Sequence, residues 1–121
     1  MYLDSKLKSA IEKFKDHFVV VEGKKDEDSL LALGFRKVYR VNYKFMSLRI
    51  RAEQIALEVG KKDKLCILTD FDKRGKKLYI ELKSIFQELG VSLDNSLRKL
   101  LLNCGVSHVE GLSGFIRNLD N

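Results

Sequence analysis

Apolar residues Leu3, Leu7, Ala10, Ile11, Phe14 and Phe18 recur three and four positions apart, which predicts an amphipathic helix over 4–16 with Asp4 or Ser5 as its cap. The pattern then changes. Residues 18–21, Phe-Val-Val-Val, form a continuous β-branched and aromatic run that suits a strand buried on both faces. Glu22-Gly23 ends it, a short helix is expected over 25–33 with Gly34 as its stop, and a second strand over 37–42. Ser47 can cap a helix running to Val59, with Leu48, Ile55, Ala56 and Val59 facing the core and Gly60 ending it. A third strand follows at 65–69. Leu78, Leu82, Ile85, Phe86 and Leu89 place a long helix over 73–89, closed by Gly90. A shorter helix is expected over 94–103, a fourth strand near 107–109 and a closing helix over 113–119.

Strands alternating with helices predict an α/β fold built on a parallel sheet of about four strands, with helices on both faces. In such folds reactive groups collect outside the carboxyl ends of the strands, where the strand order reverses. That is where acidic residues should be sought.

Two apolar strands end in carboxylates, the first as Val21-Glu22-Gly23 and the third as Thr69-Asp70-Phe71-Asp72, followed by Lys73-Arg74-Gly75. If the chain is still extended at 70–72, its two-residue period turns Asp70 and Asp72 to the same side, and Glu22 reaches them from the neighbouring strand. Three carboxylates so close repel one another unless a divalent cation opposes them, and oxygen ligands suit Mg²⁺ or Mn²⁺. Gly75 at a helix start lets backbone N–H groups approach a phosphate, and Lys73, Arg74, Lys76 and Lys77 surround it. Lys24 stands next to the first acidic turn and is a further phosphate candidate, while Glu110 is a possible additional acidic residue at the same edge. Simpler readings exist for each part: Asp72 also suits a helix cap, Glu22-Gly23 a strand-ending turn, and the lysines a solvated surface. Asp70, Asp72, Gly75 and Glu81 overlap a calcium loop, but Arg74 occupies a ligand position there. An aspartyl-phosphate phosphatase would also carry two aspartates two apart after a strand, without other support here.

Charge sharpens the picture only once it is located. The 121 residues carry a net +6; residues 36–77 hold thirteen Lys/Arg against five Asp/Glu, and each flanking third is slightly acidic. A basic middle is the footprint expected of a polyanion partner. With 45% hydrophobic and 33% charged residues the chain reads as one globular domain, 1–121. No apolar stretch approaches the roughly 20 residues of a membrane span, and the N-terminus offers no signal-peptide core, so a cytoplasmic location is expected. Cys66 and Cys104 lack zinc or disulfide spacing and read as reduced thiols. His17 and His108 receive no role.

An apolar strand ending in Glu-Gly, followed by strand and helix and then by an apolar strand ending in Asp-x-Asp-x-x-Gly, resembles the Toprim domain of topoisomerases, primases and several nucleases. Glu22, Asp70, Asp72 and Gly75 fall on its motif positions, and the resemblance runs from about residue 17 onward. Val-Glu-Gly-Lys-Lys-Asp at 21–26, Leu-Thr-Asp-Phe-Asp-Lys-Arg-Gly at 68–75 and Val-Glu-Gly-Leu at 109–112 are similar to a small stand-alone archaeal Toprim family. The resemblance implies a three-layer α/β/α, Rossmann-like fold in which Glu22 is the acid/base and Asp70 and Asp72, with Glu22, surround Mg²⁺. None of Tyr2, Tyr39, Tyr43 and Tyr79 matches a topoisomerase nucleophile, which that class takes from another domain. The expected activity is therefore Mg²⁺-dependent phosphodiester chemistry by a small nuclease on RNA or DNA, similar in organisation to the Toprim ribonuclease that matures 5S ribosomal RNA. The alternative is a non-catalytic nucleic-acid-binding module within a larger complex.

Overall fold

The computed structural model describes residues 2–112, with side chains from residue 7 onward. Its elements run α1 (Tyr2–Phe14), β1 (Phe18–Val21), α2 (Lys24–Ala32), β2 (Lys37–Arg40), α3 (Leu48–Val59), β3 (Lys64–Ile67), α4 (Lys73–Glu88), β4 (Ser92–Leu93) and α5 (Ser96–Asn103), followed by a 3₁₀ turn at Val109–Gly111. The four strands form one parallel sheet in the order β2-β1-β3-β4.

The burial of β1 on both faces follows from its composition. Val19 and Val21 enter one core with Cys66 and Leu68, beneath residues of α1, α2 and α5. Phe18 and Val20 enter the other with Leu65 and Ile67, beneath α3 and α4. Alternate residues of the two central strands thus feed opposite layers, as the two-residue strand period requires. Ser47 caps α3 as its sequence suggests, its Oγ accepting from the Ile50 N–H at 3.2 Å. Of the core positions expected on that helix, Ile55 and Val59 are buried together with Ala52, and Leu48 and Ala56 pack at the margin.

The fourth strand is not at 107–109. It is the two-residue β4, paired through Lys64↔Ser92 and Leu65↔Leu93. Gly90, at φ 79°, makes the left-handed turn that returns the chain beside β3. Residues 107–109 instead cross the end of the sheet, where the Ser107 carbonyl accepts the Phe71 N–H at 3.0 Å, before the chain tightens into the 3₁₀ turn. Val109 and Leu112 are both buried, and their three-residue spacing suits a helical turn rather than a strand. The helix expected over 113–119 lies outside the described residues.

Connectivity sets the position of the site. From β1 the chain leaves through α2 towards β2, and from β3 it leaves through α4 towards β4, on the opposite face and in the opposite direction. The carboxyl ends of β1 and β3, neighbours in the sheet, therefore open a crevice that neither crossover covers. No helix among the described residues is long and apolar enough to cross a membrane. Both cysteines are free, and burial pushes the Cys66 thiol up to about 12, far from any reactive thiolate.

Candidate metal centre

Asp70 emerges from β3 into the crevice, half-buried, and its two oxygens have different neighbours. Oδ1 accepts the Val109 N–H at 2.7 Å, while Oδ2 lies 3.3 Å from Nδ1 of His108. Asp72 is the N-cap of α4, and its Oδ1 accepts the Gly75 N–H at 2.7 Å. Each carboxylate is thus oriented through one oxygen by a backbone N–H. Asp70, Asp72 and His108 bring one ligand atom each within 4.8 Å of one another. Ligand atoms on one octahedral Mg²⁺ stand roughly 3–4 Å apart, given bonds of about 2.0–2.1 Å, so the three would draw together around an ion, the two carboxylates being the oxygen donors that Mg²⁺ favours.

Glu22 follows β1 in the same crevice but does not join that group. Its Oε2 is held by Nη2 of Arg74 at 2.9 Å, an ion pair that ties the start of α4 to the end of β1. Arg74 is 83% exposed on its side chain, so solvent screens the pair and a phosphate can compete for the guanidinium. Lys24 opens α2 and pairs with Asp28 at 2.9 Å. Lys73, Lys76 and Lys77 are exposed on the first turns of α4, and Glu110 is exposed in the 3₁₀ turn.

Gly75 has a steric role that its sequence context did not reveal. A Cβ there would lie 2.0 Å from the Asp70 carbonyl oxygen and 2.5 Å from its carbon. Only glycine lets α4 start against the backbone of Asp70. Its N–H is engaged by Asp72, and its carbonyl accepts the Thr69 hydroxyl at 2.7 Å.

Three residues in or around this group carry no signal in the sequence. His108, given no role above, faces Asp70 because the 107–109 segment crosses the strand end instead of extending the sheet. Arg98, on α5, lies buried behind β3 and donates through Nη1 to the Thr69 carbonyl at 2.7 Å. Its guanidinium stacks over Phe71 and Tyr79 at 4.6 and 4.3 Å. Burial pulls its pKa down, with nearby Tyr79, Cys66 and Asp70 acting in the opposite sense. Asp26 is buried on α2 and accepts the Gly23 N–H at 3.0 Å. Burial raises its pKa most, the Gly23 bond lowers it, and the charges of Asp70, Glu110 and Glu22 raise it further. The charges of three carboxylates thus reach Asp26 across the crevice, a field that a cation would relieve.

The basic middle of the sequence is divided by the fold. Lys37 and Lys64 begin parallel strands and lie at the edge away from the crevice, whereas Arg40 ends β2 and Lys73 and Arg74 begin α4 on the crevice side.

A family model described as the Toprim domain matches residues 17–111, most of the chain and all the residues of this centre. The chain belongs to the Toprim family. The chain is similar to a UPF0292 protein of Pyrococcus horikoshii, 27% identical over 117 residues that cover 93% of this chain and 84% of that one. A UPF0292 protein of Methanosarcina barkeri is 33% identical over 104 residues, covering 84% and 70% respectively. Among solved structures, a protein from Aquifex aeolicus superposes with a TM-score of 0.67 at 23% identity, over 90% of this chain and 94% of that chain, a likeness of fold. The parallel sheet and its two helical layers are consistent with a Toprim domain.

Proposed function

We propose that this Toprim domain cleaves phosphodiester bonds in RNA or DNA with Mg²⁺, or Mn²⁺ in its place, held by Asp70 and Asp72. The observation that carries the reading is that both carboxylates are oriented by backbone N–H groups, so the chain pays little ordering cost when an ion arrives. His108 stands ready as a third donor beside Asp70. When bound, the ion supplies charge stabilisation on the phosphoryl oxygens and orients the reacting groups.

The remaining work falls to the chain. Glu22, beside the ligand group rather than in it, serves as acid/base, exchanging a proton with the attacking or departing oxygen. Arg74 and Lys24 meet the flanking phosphates, with Lys73, Lys76 and Lys77 extending that positive surface along α4. Gly75 contributes by allowing α4 to begin against Asp70. Glu110 adds to the negative field of the crevice.

Single-turnover assays with structured RNA, single-stranded DNA and duplex DNA test this reading. Cleavage of at least one substrate is expected with Mg²⁺ or Mn²⁺, disappearing in EDTA and in Asp70→Asn. Metal-dependent binding of all three without cleavage of any would replace the nuclease by a non-catalytic module that grips nucleic acid through a bridging ion.

A further inference from the structure

Between β2 and α3 the chain passes through Asn42-Tyr43-Lys44-Phe45-Met46, a segment that takes no part in the metal centre. Phe45 is 106% exposed and sits at φ 62°, the single positive-φ residue other than glycine among the described residues. An aromatic side chain is an unfavourable occupant of left-handed backbone, and here the strain is not compensated by any burial of the ring. Folding gains nothing from Phe45. A use for the exposed ring is the physical question this position raises.

The residues flanking Phe45 in the chain lie among basic side chains. The guanidinium groups of Arg40 and Arg51 both lie 4.3 Å from the centre of the Tyr43 ring, and Arg51 Nε is anchored on the Arg40 carbonyl at 2.7 Å. Lys24, Arg40, Asn42, Tyr43 and Lys44 line an open cleft of ≈ 500 Å³. Asn42 also lines the adjoining cleft with Glu22 and Arg74, and its N–H donates to the Glu22 carbonyl at 2.9 Å. Cationic side chains, of which Arg40 pairs with Glu27 at 3.1 Å and Lys24 with Asp28 at 2.9 Å, thus lie between the acidic centre and the segment that carries Phe45.

We infer that the 43–46 turn is a stacking platform for unpaired bases, which makes a single strand, rather than a duplex, the preferred substrate of this domain. Phosphates would follow the cations of the cleft while a base stacks on Phe45, a combination that single-stranded nucleic acid satisfies because its bases have free faces. In a duplex those faces are already stacked. The inference rests on the nucleic-acid reading above and specifies its substrate class.

Binding of a short single strand carrying 2-aminopurine, measured in EDTA so that no cleavage intervenes, tests it. The wild-type protein is expected to quench the fluorescent base, and to bind the single strand more tightly than the matching duplex. Phe45→Ala should weaken single-strand affinity by about tenfold or more and abolish quenching, while Phe45→Trp retains both. Phe45→Gly should lose affinity equally with an unchanged or higher Tm, since it relieves the positive φ and sacrifices no buried surface. The idea fails if Phe45→Ala binds the single strand as wild type does, if no quenching or no binding occurs, or if Phe45→Ala alters only self-association, which would make the ring a protein contact. Failure of cleavage with intact quenching would count against the nuclease alone, and neutral Phe45 variants in an active nuclease against the platform alone.

Discussion

Gly75→Ala is expected to cost about 3 kcal/mol or more of stability, a fall in Tm of about 10 °C or more, and to remove metal binding with it. The added methyl would stand 2.0 Å from the Asp70 carbonyl oxygen and 2.9 Å from the Asp70 Cα, so the obstacle is backbone and cannot rotate away. Nor can α4 retreat freely. The Thr69 hydroxyl holds the Gly75 carbonyl at 2.7 Å, Asp72 holds its N–H, and Arg98 pins the Thr69 carbonyl from the other side. Any shift that admits the methyl must therefore move Asp70 or Asp72. Gly111→Ala is the control, since its Cβ would meet nothing within 4 Å. Thermal and urea denaturation of both variants decide the matter: a Gly75→Ala loss as small as that of Gly111→Ala would mean that α4 is not clamped against the strand end.

The second large effect concerns rate. Glu22→Gln keeps the size and shape of the side chain, and its amide oxygen can still accept from Arg74, but it can no longer carry a proton. A positioned acid or base typically contributes about 10²–10⁴-fold, so single-turnover cleavage should fall by that factor while metal and nucleic-acid affinities stay close to wild type. The separation of Glu22 from the Asp70, Asp72 and His108 group is what predicts this split between rate and binding. Loss of Mg²⁺ affinity in the variant would make Glu22 a ligand. Unchanged cleavage would take it out of the chemistry.

Much of this was legible in the sequence because local signals and tertiary demand agree. Phe-Val-Val-Val reads as a doubly buried strand and is one, Ser47 reads as a cap and is one, and the strand-ending carboxylates fall at the divergence of the two crossovers. What stayed hidden depends on contacts distant in sequence. β4 has two residues, too few for any periodicity, and its pairing comes from β3. His108 and Arg98 look like an ordinary surface histidine and a helix arginine until Asp70 and Thr69, some thirty to forty positions earlier, are brought to them. Asp26 carries no burial signal because it lies in the acidic run Asp26-Glu27-Asp28, and only the packing of α2 decides which of these is covered. The sequence context of Gly75 suggests a glycine's usual role near phosphate, but the Asp70 backbone is what requires it, a contact that no one-dimensional pattern contains.

The claim on which the rest depends is that Asp70 and Asp72 hold a divalent ion, and a Mg²⁺ and Mn²⁺ titration of the protein by calorimetry and NMR tests it most directly. The double variant Asp70→Asn with Asp72→Asn is suited to the comparison, because asparagine still caps α4 and can still accept the Val109 N–H. The account predicts binding by the wild type, with shifts centred on residues 70, 72 and 108, and a loss of more than about 100-fold in the folded double variant, beyond what removal of an outer-shell partner costs. Wild-type affinity in that variant would contradict it.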